Sequence, residues 1–120
     1  MSRREAIKKT YKLYINGKFP RTESGRYIKW ADPKQSTQVN ICRGSRKDFR
    51  NSIVAARSAF EGWASRTAYN RSQILYRIGE MLEGRRSQFM DELILQGSSK
   101  KVAEKEINQS IDRLIYYAGW

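Results

Sequence analysis

The sequence contains no histidine, a single cysteine (Cys42) and two prolines. Without histidine there is no Ser-His-Asp or Cys-His arrangement, no imidazole acid/base and no histidine-ligated metal. One cysteine excludes an internal disulfide and a cysteine-rich zinc cluster, and it fits a reducing, cytoplasmic setting. No apolar run approaches the ~20 residues of a membrane span. The first residues, Met1-Ser2-Arg3-Arg4-Glu5, lead to Lys8-Lys9 and not to an apolar core, so the sequence reads as lacking a secretory signal. Acidic side chains are scarce, 12 Asp and Glu against 24 Lys and Arg, for a formal charge of +12.

What is present suits one small domain. A chain of 120 residues can bury about two-thirds of its unfolded surface. With 39% hydrophobic and 12% aromatic residues it is too rich in apolar groups for a disordered chain. A large positive charge directs attention to nucleic acid, and its distribution tests that reading. Residues 1–29 carry nine basic and two acidic side chains, net +7; residues 30–48 add +2 and residues 49–120 only +3. A basic N-terminal arm over residues 1–9 can hold phosphates by counterion release. No aromatic-basic motif accompanies it, so a solvated, charged terminus is the preferred reading.

The N-terminal third reads as strands. Tyr11-Lys12-Leu13-Tyr14-Ile15 is β-prone, and the Asn16-Gly17 that follows is the strongest short hairpin signal, because both central positions of a type I′ turn need positive φ. Glu23-Ser24-Gly25 is a second turn. Arg26–Trp30 is a second strand closed by Asp32-Pro33, and Gln38-Val39-Asn40-Ile41-Cys42 alternates as a third. The period then changes. Ser45-Arg46-Lys47-Asp48 matches a capping box, and Phe49, Ile53, Ala56, Phe60 and Trp63 recur at spacings of four and three, as one helix face does. A second helix is expected over about Tyr69–Glu83, capped by Thr67 or Asn70, with the stripe Ile74, Ile78, Met81 and Leu82 and an end at Gly84. A third carries Phe89, Met90, Leu93 and Ile94 and stops at Gly97. A fourth carries Ala103, Ile107, Ile111, Leu114 and Ala118. The expected fold is therefore α+β: antiparallel β-hairpin strands over about 10–43, then four helices over about 46–119. The chain closes on Gly119-Trp120, so either the Trp120 ring enters the core or the chain is cut from something longer.

Candidate chemistry is sparse. Cys42 beside Arg43 could be a nucleophile, because catalytic thiols need a nearby cation or helix N-terminus. Its place at a strand end favours a structural thiol. Glu61, Glu80, Glu83 and Glu92 fall mostly off the apolar stripes and read as solvated faces before paired acid/base groups. The glycines form no G-x-G-x-x-G after a strand, so no phosphate cradle is indicated. Trp63, Tyr76, Tyr116, Tyr117 and Trp120 could stack on bases. Most lie at helical core spacing and are expected to pack, either in the core of this chain or against a remainder that it lacks.

Taken in order, five segments resemble the N-terminal segment of the aldehyde dehydrogenase superfamily, from about Lys12 to Trp120. They are Leu13-Tyr14-Ile15-Asn16-Gly17-Lys18-Phe19, Asp32-Pro33, Ala55-Ala56-Arg57-Ser58-Ala59-Phe60-Glu61-Gly62-Trp63, Arg71 through Leu82, and Ile107 to Trp120. After Gly97 the family usually continues with Lys-Pro. Here Ser98-Ser99-Lys100-Lys101-Val102-Ala103 follows, with Val102 where Glu is common, while Glu106-Ile107 keeps the later pattern. The departures point to a divergent subfamily. Full-length members are several times longer and pass hydride from an aldehyde, held as a thiohemiacetal on a cysteine, to NAD or NADP. Their Pro-Trp-Asn segment, cofactor-binding Lys, Gly-rich turn, general-base Glu and nucleophilic Cys lie downstream of the matched stretch.

The resemblance therefore implies an incomplete part of a cofactor-binding domain, arm at 1–9 and family-like domain at 10–120. It implies no catalytic, cofactor-binding or metal residue in this chain, which by itself would be inactive and would bind no cofactor. The implied partner is the remainder of an aldehyde dehydrogenase or a full-length homologue. The other readings are an interaction module docking on a protein, or a basic nucleic-acid binder. No membrane partner is expected, and nucleic acid is disfavoured as a partner.

Overall fold

The computed structural model describes residues 9–31 and 38–120. The order of elements is β1 (Lys9–Tyr11), β2 (Tyr27–Ala31), β3 (Gln38–Cys42), α1 (Arg46–Ala64), α2 (Ala68–Gly84), α3 (Arg86–Leu95) and α4 (Lys100–Ala118). The α+β class and the four helices follow the sequence reading. The chain divides into two compact units, residues 1–61 and 62–120, with the division falling inside α1.

In the first unit the strands form one sheet of order β1-β3-β2. β2 pairs antiparallel with β3, Ile28 opposite Ile41 and Trp30 opposite Val39. β1 pairs parallel with β3, Lys9 opposite Val39 and Tyr11 opposite Ile41. This corrects the purely antiparallel expectation, and it also moves the first strand toward the N-terminus. The expected Asn-Gly turn is present, with φ of 56° at Asn16 and 73° at Gly17, and Ile15 and Lys18 exchange backbone hydrogen bonds at 3.0 and 3.1 Å. The Leu13 amide then reaches the Pro20 carbonyl at 3.0 Å. Pro20 has no N–H to return, so the ladder stops there and residues 12–15 make a tight hairpin and not a sheet strand. Asp32-Pro33 lies outside the described residues.

The capping box forms as read. The Asp48 amide donates to Ser45 Oγ at 3.2 Å, and the Ser45 amide donates to Asp48 Oδ2 at 2.9 Å. The stripe that made α1 legible stays open: Phe49, Ile53 and Phe60 are all exposed, Phe49 and Phe60 at 67%.

The second unit is a helical assembly with α4 at its centre, packed on α2 and α3. Ala103, Ile107, Ile111 and Ala118 are buried along one α4 face. On α2 the buried position is Gly79, with Ile74, Leu75 and Leu82 half-buried beside it. The expected α2 stripe is therefore rotated: Ile78 and Met81 are exposed. The apolar residues of α2 cover a wider arc than one contact face, and their spacing alone does not choose its centre. Thr67, not Asn70, caps α2, accepting from the Asn70 amide at 3.1 Å. α3 ends in a Schellman motif. Gly97 takes φ 106°, its amide reaches Ile94 O at 3.0 Å, and Ser98 N reaches Leu93 O at 3.1 Å. Ser99, which the sequence reading passed over, caps α4 through the Val102 amide at 3.2 Å. No helix among the described residues is long and apolar enough to cross a membrane.

Candidate functional site

Among the described residues of the first unit, a polar cluster centres on Asp48. Its Oδ2 accepts from the Thr22 hydroxyl at 2.5 Å, the Ser45 amide at 2.9 Å and the Ser45 hydroxyl at 3.1 Å, and its Oδ1 accepts from the Glu23 amide at 3.1 Å. Ser24 Oγ donates to the Arg43 carbonyl at 3.1 Å beside it. Thr22 and Asp48 are both buried. The Thr22 hydrogen bond, aided by the Ser45 and Glu23 donors and opposed by desolvation, lowers the Asp48 carboxyl from its ordinary 3.8 to about 2. Asp48 is thus an ionised acceptor with its oxygens engaged. It joins the turn at 22–25 to the start of α1 and holds no proton to exchange near neutral pH.

The residues singled out in the sequence do not converge. Cys42 ends β3 with its side chain 7% exposed, which fits the structural reading. Glu80 pairs with Arg77 at 3.3 Å and Glu83 with Arg86 at 2.6 Å, each within one helical turn or across the α2–α3 junction. The Arg86 guanidinium holds the Glu83 carboxyl below the usual carboxylate range and also donates to Asn108 Oδ1 on α4 at 2.5 Å. Glu61 and Glu92 lie on other helix positions. Among the described residues no group of three or more Cys, Asp or Glu could hold a metal ion.

The aromatic residues do not enter a core of this chain. Tyr76, Tyr116 and Tyr117 are exposed, and Trp120 is 83% exposed. Tyr116 and Tyr117 meet edge-on with centroids 5.1 Å apart, and Trp120 stands 6.0 Å from Tyr116. Within the second unit Trp63, Arg71, Leu75, Tyr117 and Trp120 line an open cleft of about 320 Å³.

The class these features define is a strand-and-helix building block with apolar helix faces turned to solvent and no assembled reaction centre among its described residues. The aldehyde dehydrogenase family pattern matches residues 19–120, and the chain belongs to that family. It is 31% identical over 112 residues to the D-glyceraldehyde dehydrogenase (NADP(+)) of Thermoplasma acidophilum, covering 91% of this chain and 22% of that protein. It is 32% identical over 115 residues to the mitochondrial benzaldehyde dehydrogenase of Antirrhinum majus, covering 91% and 21%. The fold agrees. A mutant aldehyde dehydrogenase from Bacillus cereus superposes with a TM-score of 0.87 at 28% identity, covering 93% of this chain and 24% of that one. The NAD-dependent aldehyde dehydrogenase of Sinorhizobium meliloti gives 0.87 at 26% identity, covering 94% and 24%. The chain spans about a fifth of the length of the curated relatives it matches.

The family uses a nicotinamide dinucleotide, and the strand-to-helix turn of this chain can be tested for one. A pyrophosphate needs free helix N-terminal amides and a glycine-rich approach. At the β3–α1 turn the carboxylate of Asp48 already sits on the first turn of the helix, ionised and buried. Gly44 is the only glycine of that turn. The residues there do not fit a dinucleotide.

Proposed function

We propose that this chain is the N-terminal part of an NAD(P)-dependent aldehyde dehydrogenase, with a basic arm over residues 1–9 and the family domain over 10–120. Its role is scaffolding: it supplies strands and helices on which the cofactor domain of the complete enzyme is built. By itself it binds no nicotinamide cofactor and oxidises no aldehyde. The observation that carries this reading is the agreement of fold and sequence over nearly the whole chain with only the first fifth to quarter of full-length enzymes. The open apolar stripe of α1 supports it, since a solvent-facing row of Phe49, Ile53 and Phe60 is what a helix keeps for a neighbour. The aldehyde and the choice of NAD or NADP belong to the remainder of the enzyme. A cytoplasmic location suits the free Cys42.

Two measurements test the reading. The reading frame after codon 120 should continue into a glycine-rich turn and a catalytic cysteine; an immediate stop codon would sink it. The purified 120-residue chain, given NAD or NADP with glyceraldehyde or benzaldehyde, should produce no reduced nicotinamide. Aldehyde-dependent reduction by the chain alone would overturn the scaffold assignment.

A further inference from the structure

The strand register of the first unit sorts side chains onto two sheet faces. One face carries Lys9, Val39 and Trp30 in one cross-strand row and Tyr11, Ile41 and Ile28 in the next. The β2–β3 ladder runs one residue further, where the Arg43 amide donates to the Arg26 carbonyl at 3.0 Å. Arg26 and Arg43 therefore stand opposite one another at the end of this same face, both exposed. Like charges directly opposite each other destabilise a sheet. The described residues of this unit hold eleven basic and three acidic side chains, against nine and seven in the second unit. Of the three acids, Asp48 is committed to Thr22, Ser45 and Glu23, and Glu23 lies 3.5 Å from Lys47. No carboxylate among the described residues pairs with Arg26 or Arg43.

We propose that this face binds single-stranded nucleic acid, with backbone phosphates between Arg26 and Arg43 and bases laid over Ile28, Ile41 and Trp30. The two cations at the end of the face answer the phosphate charge. Apart from Lys9 the rows beside them are aromatic or aliphatic: Ile28 is 52% and Ile41 39% exposed, Trp30 and Tyr11 are half-buried, Val39 is buried between them, and Lys9 stands 4.6 Å over the Tyr11 ring. Splayed bases stack on such a surface, whereas a duplex presents its bases only inside its grooves. Lys9 adds a third cation at the other end of this face, and the polyglutamate arm of the test separates an acidic peptide from nucleic acid. This goes beyond the scaffold role and does not depend on it.

The test is a titration of the 120-residue chain with a labelled oligothymidylate of about 12 nucleotides across a range of salt. The double substitution Arg26→Gln, Arg43→Gln should make the slope of log affinity against log salt shallower by about 1.4. The equal-charge control Lys100→Gln, Lys101→Gln, in the second unit, should leave the slope unchanged. Trp30→Leu should weaken binding about tenfold at fixed salt, and far-UV circular dichroism confirms that each variant is folded. Because the arginine variants alter exposed side chains only, they keep the test decisive if Trp30→Leu unfolds. The proposal fails if polyglutamate or inorganic polyphosphate competes as well as the oligonucleotide, if a duplex of the same length binds equally, or if the control variant flattens the slope as much as the arginine pair.

Discussion

The Thr22 hydroxyl donates to Asp48 Oδ2 at 2.5 Å across 26 residues of chain, and both groups are buried. This bond ties the turn after the first hairpin to the first turn of α1. Replacing Thr22 by Val keeps the shape and removes the donor, leaving a buried carboxylate short of one partner. The expected loss is about 1–3 kcal/mol, read as a lower denaturation midpoint. Thr22→Ser, which keeps the hydroxyl, should recover most of it. An unchanged midpoint for Thr22→Val would show that the bond adds nothing to the fold.

Acid should weaken the same unit. Folded Asp48 titrates at about 2, below its ordinary 3.8. As the pH falls, the unfolded chain therefore takes up this proton first. The stabilisation is complete above about pH 4 and is lost as the pH drops from 3.8 through about 2. Asp48→Asn should be less stable than the parent at neutral pH, and the gap between the two should close through that acid window. A parallel offset at all pH values would refute the linkage.

The contact between α2 and α4 is tuned at Gly79. A Cβ built there would lie 3.7 Å from Leu114 Cβ and 3.8 Å from Ile115 Cγ1, which is ordinary van der Waals contact. Gly79→Ala should be neutral or stabilising by up to about 1 kcal/mol, through helix propensity. Ile107→Ala, at a buried α4 position, should cost about 2–5 kcal/mol. Thermal melts of the two variants moving in opposite directions would support the packing; a large loss for Gly79→Ala would contradict it.

Apolar area left open on the helices should make the isolated chain adhesive. Phe49, Phe60, Tyr116, Tyr117 and Trp120 are all exposed, more than a self-sufficient small domain leaves uncovered. The 120-residue chain should bind a hydrophobic dye and associate with rising concentration. Phe49→Lys with Phe60→Glu should reduce both. A monomeric parent with no dye signal would count against this expectation.

Ser45 and Asp48 announced α1 and Asn16-Gly17 announced the hairpin, and both formed as read; of the two caps offered for α2, Thr67 and Asn70, the structure uses Thr67. These are local devices, completed within three or four residues. The reading failed where choices are not local. Spacing placed Ile78 and Met81 on the contact face of α2, while the fold set Gly79 there, because an arc of apolar residues can meet its neighbour at several rotations. Nothing near Thr22 signalled Asp48, and the acid/base candidates Glu80 and Glu83 turned out to hold arginines one turn away.

The succession of a strand region and four helices was legible in the sequence, because it rests on short-range periodicity and capping, and the family was legible as a resemblance carried by five motifs in order. Tertiary structure alone decided that β1 runs parallel to β3, that Thr22 meets Asp48, and that Arg26 stands opposite Arg43. Those outcomes depend on register and on long-range pairing. A one-residue slip would send every side chain of a strand to the other face without changing a single local propensity.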